Sequence, residues 1–317
     1  MSAPRPSSGS ISPVDIATLL FLGAVWGGAF LFYRIAGPEV GPLWAAEIRV
    51  ALAALALVLI VGRPTLRAVR GRVGQFVVLG LTFSAIPFAL VAVASQTLPT
   101  GLAALLNATT PLFTALVSAA WLGTRISPRV VAGLGVGVAA VLVLVGWSTL
   151  APGPGTFVAA GLSLAASFSY AIAGTFVRRS MSAVRPIELA TGQMVVGTIV
   201  LLPFALASGI PAMPSPGATV SLVALGLAST ALAWPLFFRT LGRTSPTTAS
   251  TVTFIVPGFG ILWGGLVLGE AIGPGTAAGL VLVLASLVLV LDIRVPRLGR
   301  LLEFPATARA RLLPIGR

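Results

Sequence analysis

Ten apolar stretches, each about the length of a membrane-spanning helix, fix what this chain can fold into. They lie near residues 14–36, 42–62, 74–94, 98–122, 129–147, 156–177, 187–208, 218–238, 246–268 and 275–292. The hydrocarbon core of a bilayer takes about 20 apolar residues of helix. Helices are the only open-ended way to satisfy the backbone in lipid, and the period-2 alternation of a membrane barrel is absent. The breaks between stretches carry glycine, proline or arginine, as at 62–72, 123–129, 151–155 and 211–217. The pattern predicts an all-α integral membrane protein with ten transmembrane helices.

Composition agrees. Of 317 residues, 57% are apolar and 9% charged, against about 25% charged in soluble domains. Cysteine and histidine are absent, and every basic residue is arginine. A disulfide framework is therefore excluded, as are zinc, haem and iron–sulfur sites with their usual ligands. No metal and no cofactor is expected. Residues 1–13 are rich in proline and serine and read as a disordered tail. The first stretch exceeds the roughly 7–15 residues of a signal-peptide core, so it reads as a span.

The net charge of +13 would suggest nucleic acid in a soluble protein. The positions of the arginines argue otherwise. Counting the N-terminus as cytoplasmic, Arg5 lies in the first tail. Arg63, Arg67, Arg70 and Arg72 follow the second stretch, and Arg125 and Arg129 the fourth. Arg178, Arg179 and Arg185 follow the sixth, Arg239 and Arg243 the eighth, and six more occupy the C-terminal tail. Eighteen of the twenty thus fall on one side; the exceptions are Arg34 and Arg49. By the positive-inside rule this predicts both termini in the cytoplasm, an even number of spans and no nucleic-acid partner.

The two halves resemble each other at a shift of 144 to 146 residues. Pro111 falls on Pro257, Leu122-Gly123 on Leu268-Gly269, Ile126 on Ile272, Gly133 on Gly279, and Gly80-Leu81 on Gly226-Leu227. Nearer the start, Trp26 falls on Tyr170, Arg34 on Arg178, Pro42 on Pro186 and Arg49 on Gln193. Each unit holds five spans, so the second must enter the membrane from the opposite face. Such inverted repeats characterise secondary transporters. The expected organisation is a first repeat over 14–149, a second over 150–293, and a basic cytoplasmic tail over 294–317.

Trp26-Gly27-Gly28-Ala29-Phe30 in the first span, Arg49 early in the second, and a proline followed by Leu-Gly in the fourth and ninth carry a family resemblance. The chain resembles the drug/metabolite transporter superfamily in its EamA-type, two-repeat, ten-helix form. One departure stands out. The family often has glutamate after Leu-Gly in both repeats, whereas this chain has Thr124 in the first and Glu270 in the second. The resemblance implies a small-molecule carrier in the inner membrane, an exporter of amino acids or similar solutes.

Candidate substrate-binding residues follow from polar and aromatic groups inside the apolar stretches. Asn107, Thr110, Pro111 and Thr114 share one face of a fourth helix. Pro111 would leave the Asn107 carbonyl without its helical donor, giving a kink and a polar notch; ordinary helix–helix hydrogen bonding is the alternative. Thr253 and Pro257 repeat the arrangement in the ninth stretch. Trp26, Phe30 and Tyr33 share a face of the first helix, which the resemblance sets beside a central cavity. Tyr170 and Trp234 are the second-repeat candidates. Glu47 and Arg49 are intramembrane charges, functional by default; coupling or gating is one reading, and structural anchoring of Arg49 and an outer-interface position of Glu47 are the alternatives. Residues two apart on a helix do not face each other, so the two are not expected to pair. Glu47 is the candidate proton carrier if transport is proton-coupled. A membrane enzyme would need a histidine, cysteine, lysine or aspartyl dyad, none of which the spans contain. A channel would show a filter or ring of charges, and none is visible.

Overall fold

A computed structural model describes residues 12–147, 153–243 and 252–291. The expected N-terminal and C-terminal tails and the turn before the ninth stretch lie largely outside the described residues. The described residues are helical throughout, with no strand. Eight helices are long and apolar enough to cross a membrane: α1 (Pro13–Val40), α2 (Pro42–Ile60), α3 (Val73–Ala94), α4 (Thr100–Leu122), α5 (Pro128–Gly146), α6 (Pro154–Ser180), α7 (Pro186–Ala207) and α8 (Pro216–Phe237). Two shorter apolar helices follow, α9 (Val252–Leu268) and α10 (Pro274–Val290). These helices coincide with the apolar stretches to within a few residues, except that the start of the ninth stretch, 246–251, lies outside the described residues.

Proline explains many of the starts. Pro13, Pro42, Pro128, Pro154, Pro186, Pro216 and Pro274 each occupy the first turn of a helix, where the missing N–H is no loss and φ is already set. Ser12, Ser127 and Ser215 add side-chain caps. Glycine supplies the stops. Gly123 (φ 68°) and Gly269 (φ 65°) adopt the left-handed conformation just after α4 and α9. The Leu-Gly pair common to both halves is therefore a helix terminator, and it turns the chain so that Thr124 or Glu270 comes next.

Three features depart from a plain ten-rod reading. The arginine-rich connection after α2 contains a short helix of its own, Arg63–Arg70. α4 is broken into Thr100–Asn107 and Thr110–Leu122. Both α3 and α8 widen into π-helix, over Leu81–Ala85 and Ala224–Leu232.

The packing repeats when the halves are exchanged. α1 packs on α9 as α6 packs on α4, and α1 on α8 as α6 on α3. α2 packs on α8 as α7 on α3, while α2 meets α7, α4 meets α9, and α5 meets α10. Small residues allow the closest of these approaches. A Cβ on Gly27 would sit 2.7 Å from the Val256 carbonyl oxygen of α9, so the α1 and α9 backbones nearly touch. Ser286 of α10 donates to the Gly133 carbonyl of α5 at 2.7 Å. Large apolar side chains such as Leu59, Leu142, Ile199 and Val281 point outward and are exposed, as lipid-facing residues are.

Candidate functional site

The helices enclose a cavity of about 690 Å³, within the roughly 300–1,000 Å³ of small-molecule sites. It runs from Phe30, Arg49 and Val91 in the middle of the bundle to Thr124, Arg178 and Leu291 at one end.

One wall is aromatic, and both π segments contribute to it, one through Phe83 and the other through Ser229. Trp26 of α1 lies 5.2 Å from Trp234 and 5.3 Å from Phe237, both of α8, between ring centroids. Trp234 meets Phe83 of α3 at 4.8 Å, Phe83 meets Tyr170 of α6 at 5.6 Å, and Tyr170 meets Phe88 at 6.4 Å. The Trp26 indole N–H donates to the Ser229 carbonyl at 3.0 Å, and the Ser229 hydroxyl donates to the Val25 carbonyl at 2.8 Å. Ser229 belongs to the α8 π segment and Phe83 to the α3 one. Widened turns recur at functional sites because they expose backbone and re-aim side chains.

Arg49 closes the inner end of this wall. Its guanidinium lies over the Phe88 ring at 3.8 Å, while Nε donates to the Thr230 hydroxyl at 2.8 Å and Nη1 to the Tyr33 hydroxyl at 3.2 Å. Thr230 in turn donates to the Leu225 carbonyl, five residues back, at 2.7 Å. Gln193 of α7, the repeat counterpart of Arg49, lines the same cavity.

The opposite wall is the broken α4. Asn107, Thr110, Pro111 and Thr114 all line the cavity, joined by Thr253 of α9. The cause of the break differs from the expectation of a proline kink inside one continuous helix. The chain turns at Ala108–Thr109, and Pro111 occupies the first turn of the next segment. The Asn107 carbonyl accepts from the Thr110 hydroxyl at 2.8 Å and from the Ser167 hydroxyl of α6 at 3.3 Å. The break is thus satisfied by side chains from its own helix and from a neighbour.

Of the residues singled out from sequence, Trp26, Phe30, Arg49, Asn107, Thr110, Pro111, Thr114, Tyr170, Trp234 and Thr253 line one cavity. Three do not. Tyr33 is fully buried behind Arg49, which it orients. Pro257 is buried within α9, away from the cavity lining. Glu47 is 3% exposed, and its Oε2 has no hydrogen-bond partner among the described residues. As expected, it forms no ion pair with Arg49. Phe83, Phe88 and Phe237 were not singled out, although they complete the wall. The shift that aligns Gly80-Leu81 with Gly226-Leu227 was the available signal for both π segments.

The far end of the bundle is closed by a polar cluster outside the cavity. Arg34 Nε pairs with Glu270 Oε1 at 3.0 Å, and Nη1 donates to the Leu98 carbonyl at 3.1 Å. The Glu270 carboxylate also accepts from the Thr100 backbone N–H at 2.8 Å and its hydroxyl at 3.1 Å. It thereby caps the N-terminus of α4, where negative charge is favourable.

Comparison with known proteins agrees with this architecture. The profile of the EamA-like transporter family matches residues 15–146 and again 158–292. The chain belongs to the EamA-like transporter family, within the drug/metabolite transporter superfamily. Among its relatives is a protein of Salmonella typhimurium named "Probable amino-acid metabolite efflux pump", 29% identical over 89% of this chain and 96% of the relative. The Escherichia coli protein of the same name is 28% identical over 87% and 94%. A "Probable terminal-alkyne amino-acid exporter" of Streptantibioticus cattleyicolor is 26% identical over 86% and 91%. A solved crystal structure superposes with a TM-score of 0.63 at 17% identity, covering 92% of this chain and 99% of the other, which shows a shared fold. This family member is a multi-pass membrane transporter of small molecules, not an enzyme.

Proposed function

We propose that the protein is a secondary exporter of amino acids or similar small solutes, working by alternating access in the inner membrane. The observation that carries this reading is a large cavity lined from both halves, whose lining among the described residues extends to one end of the bundle. Packing that recurs on exchange of the halves supports two inverted five-helix repeats and ten spans, with rocking of one unit against the other as the transport motion. The names of the relatives support amino acids and export. Both termini are assigned to the cytoplasm from the arginine distribution, which makes the open end of the cavity cytoplasmic. Trp26, Phe30, Tyr170, Trp234, Asn107, Thr110, Pro111, Thr114 and Thr253 form the proposed substrate surface. Tyr33 serves it by orienting Arg49, and Pro257 by shaping α9. Glu47 is the proposed proton carrier if coupling is to protons.

Counterflow in proteoliposomes tests the reading. Unlabelled amino acid trapped inside is expected to accelerate entry of the labelled solute, and Asn107→Leu should slow it severalfold without loss of folded protein. Entry indifferent to internal solute would indicate a channel instead. With a pH gradient across the same vesicles, equal flux in wild type and Glu47→Gln would clear Glu47 of proton transfer.

A further inference from the structure

Deep in the cavity, away from Arg178 at its open end, lies a positive charge for which the described residues supply no counter-charge. Arg49 is permanently ionised and 5% exposed. Its partners are the Thr230 and Tyr33 hydroxyls and the Phe88 ring, all neutral. No ion pair joins it to a carboxylate among the described residues, and no aspartate or glutamate is among the described lining residues. Facing the same space is Gln193, 1% exposed, whose amide nitrogen has no hydrogen-bond partner among the described residues. Two buried groups therefore meet the cavity incompletely matched among the described residues: Arg49 of α2 lacks a counter-charge, and the Gln193 amide N–H of α7 lacks an acceptor. An uncompensated charge in this setting is costly, and a buried donor without an acceptor adds to the cost.

The geometry points to a ligand that brings the missing acceptor: a carboxylate held by Arg49 and Gln193, with an apolar or aromatic body lying along the Phe83, Trp234 and Trp26 wall. A guanidinium fork suits a carboxylate in particular. No acid on the described lining pairs with an ammonium group, so the carboxylate rather than the amine meets a charged partner. This inference rests on the cavity being the transport site and names the chemistry that the site selects. The carboxylate is the handle, and the amine is dispensable.

Four small probes separate the two ends of an amino acid: phenylalanine, 3-phenylpropionate, phenethylamine and phenylalaninamide. Binding is measured by calorimetric titration of the purified full-length protein in detergent. The two carboxylates are expected to bind, and the two probes lacking one to bind about tenfold more weakly or worse. Gln193→Leu should weaken the carboxylates severalfold and leave phenethylamine unchanged. Arg49→Gln should erase the ranking, and Arg49→Lys should restore part of it. Should Arg49→Gln fail to fold, the wild-type ranking and Gln193→Leu still decide. Phenethylamine binding as tightly as phenylalanine would overturn the inference, as would absence of binding by all four. Binding is read without a membrane, so loss of carboxylate selectivity with intact counterflow removes this inference alone. Selective binding without counterflow removes the transport reading instead.

Discussion

The two ends of the bundle are framed by counterpart helices of the two halves, yet the large cavity extends to one end and a polar cluster ties the other together. At the shut end, Arg34 of α1 meets Glu270, the residue after the α9 terminator, and both hold the start of α4. At the open end, the corresponding residues are Arg178 of α6 and Thr124 after the α4 terminator, and both are exposed on the cavity lining. Arginine is present at both ends, but the carboxylate only at one. On the proposed alternating-access reading, a single side chain biases a near-symmetric scaffold toward one access state. Here that side chain follows a glycine whose left-handed turn aims it at the neighbouring half.

The largest test of this contrast is Glu270→Gln. It removes the ion pair and weakens the cap on Thr100, with an expected loss of about 2–4 kcal/mol, read from thermal unfolding of the purified protein. The chain has no cysteine, so Val91→Cys, on the buried inner lining, gives a clean reporter. Its labelling by an impermeant thiol reagent from the Arg34 side should rise sharply in Glu270→Gln. Unchanged labelling would mean that something else shuts that end.

The reverse change is smaller. Thr124→Glu gives Arg178 a carboxylate in the position of Glu270, and an exposed ion pair contributes about 0.2–1 kcal/mol. Labelling of Ser118→Cys from the open end should slow by up to about fivefold. If the rate is the same with threonine and glutamate, side-chain identity at 124 does not set the difference between the ends. The smallest effect belongs to Arg178→Gln, expected to change stability by no more than about 0.5 kcal/mol. Arg34→Gln should cost several times as much. Equal costs at the two arginines would erase the contrast.

Much of this was legible in the sequence, for definite reasons. Apolar length and turn residues marked each of the long apolar helices but not the short Arg63–Arg70 helix, because lipid tolerates no other open-ended backbone. Asn107 and Arg49 were visible because polar groups in apolar runs are rare. The orientation of each helix was not legible. Helices that are apolar on every side give hydropathy no phase, so Tyr33 could not be told from Phe30, nor Pro257 from Thr253. The break in α4 was read as a proline effect. In the structure, Pro111 starts a new segment, and hydroxyls from Thr110 and Ser167 make the break tolerable. The Arg34–Glu270 pair joins residues far apart in the chain, and nothing local distinguishes Glu270 from an ordinary helix-end carboxylate.

The π segment of α8 has a further consequence. A π turn holds an extra residue compared with an α turn, so everything beyond Ala224–Leu232 is kept in phase by that surplus. Each residue of an α-helix adds about 100° of rotation and 1.5 Å of rise. Were the segment to tighten into α-helix, Trp234 and Phe237 would swing off Trp26 while Thr230 left Arg49. One local change of pitch would thus open the aromatic wall at Trp26 and remove one of the guanidinium's three partners together, like a screw whose single thread sets both the jaw and the catch.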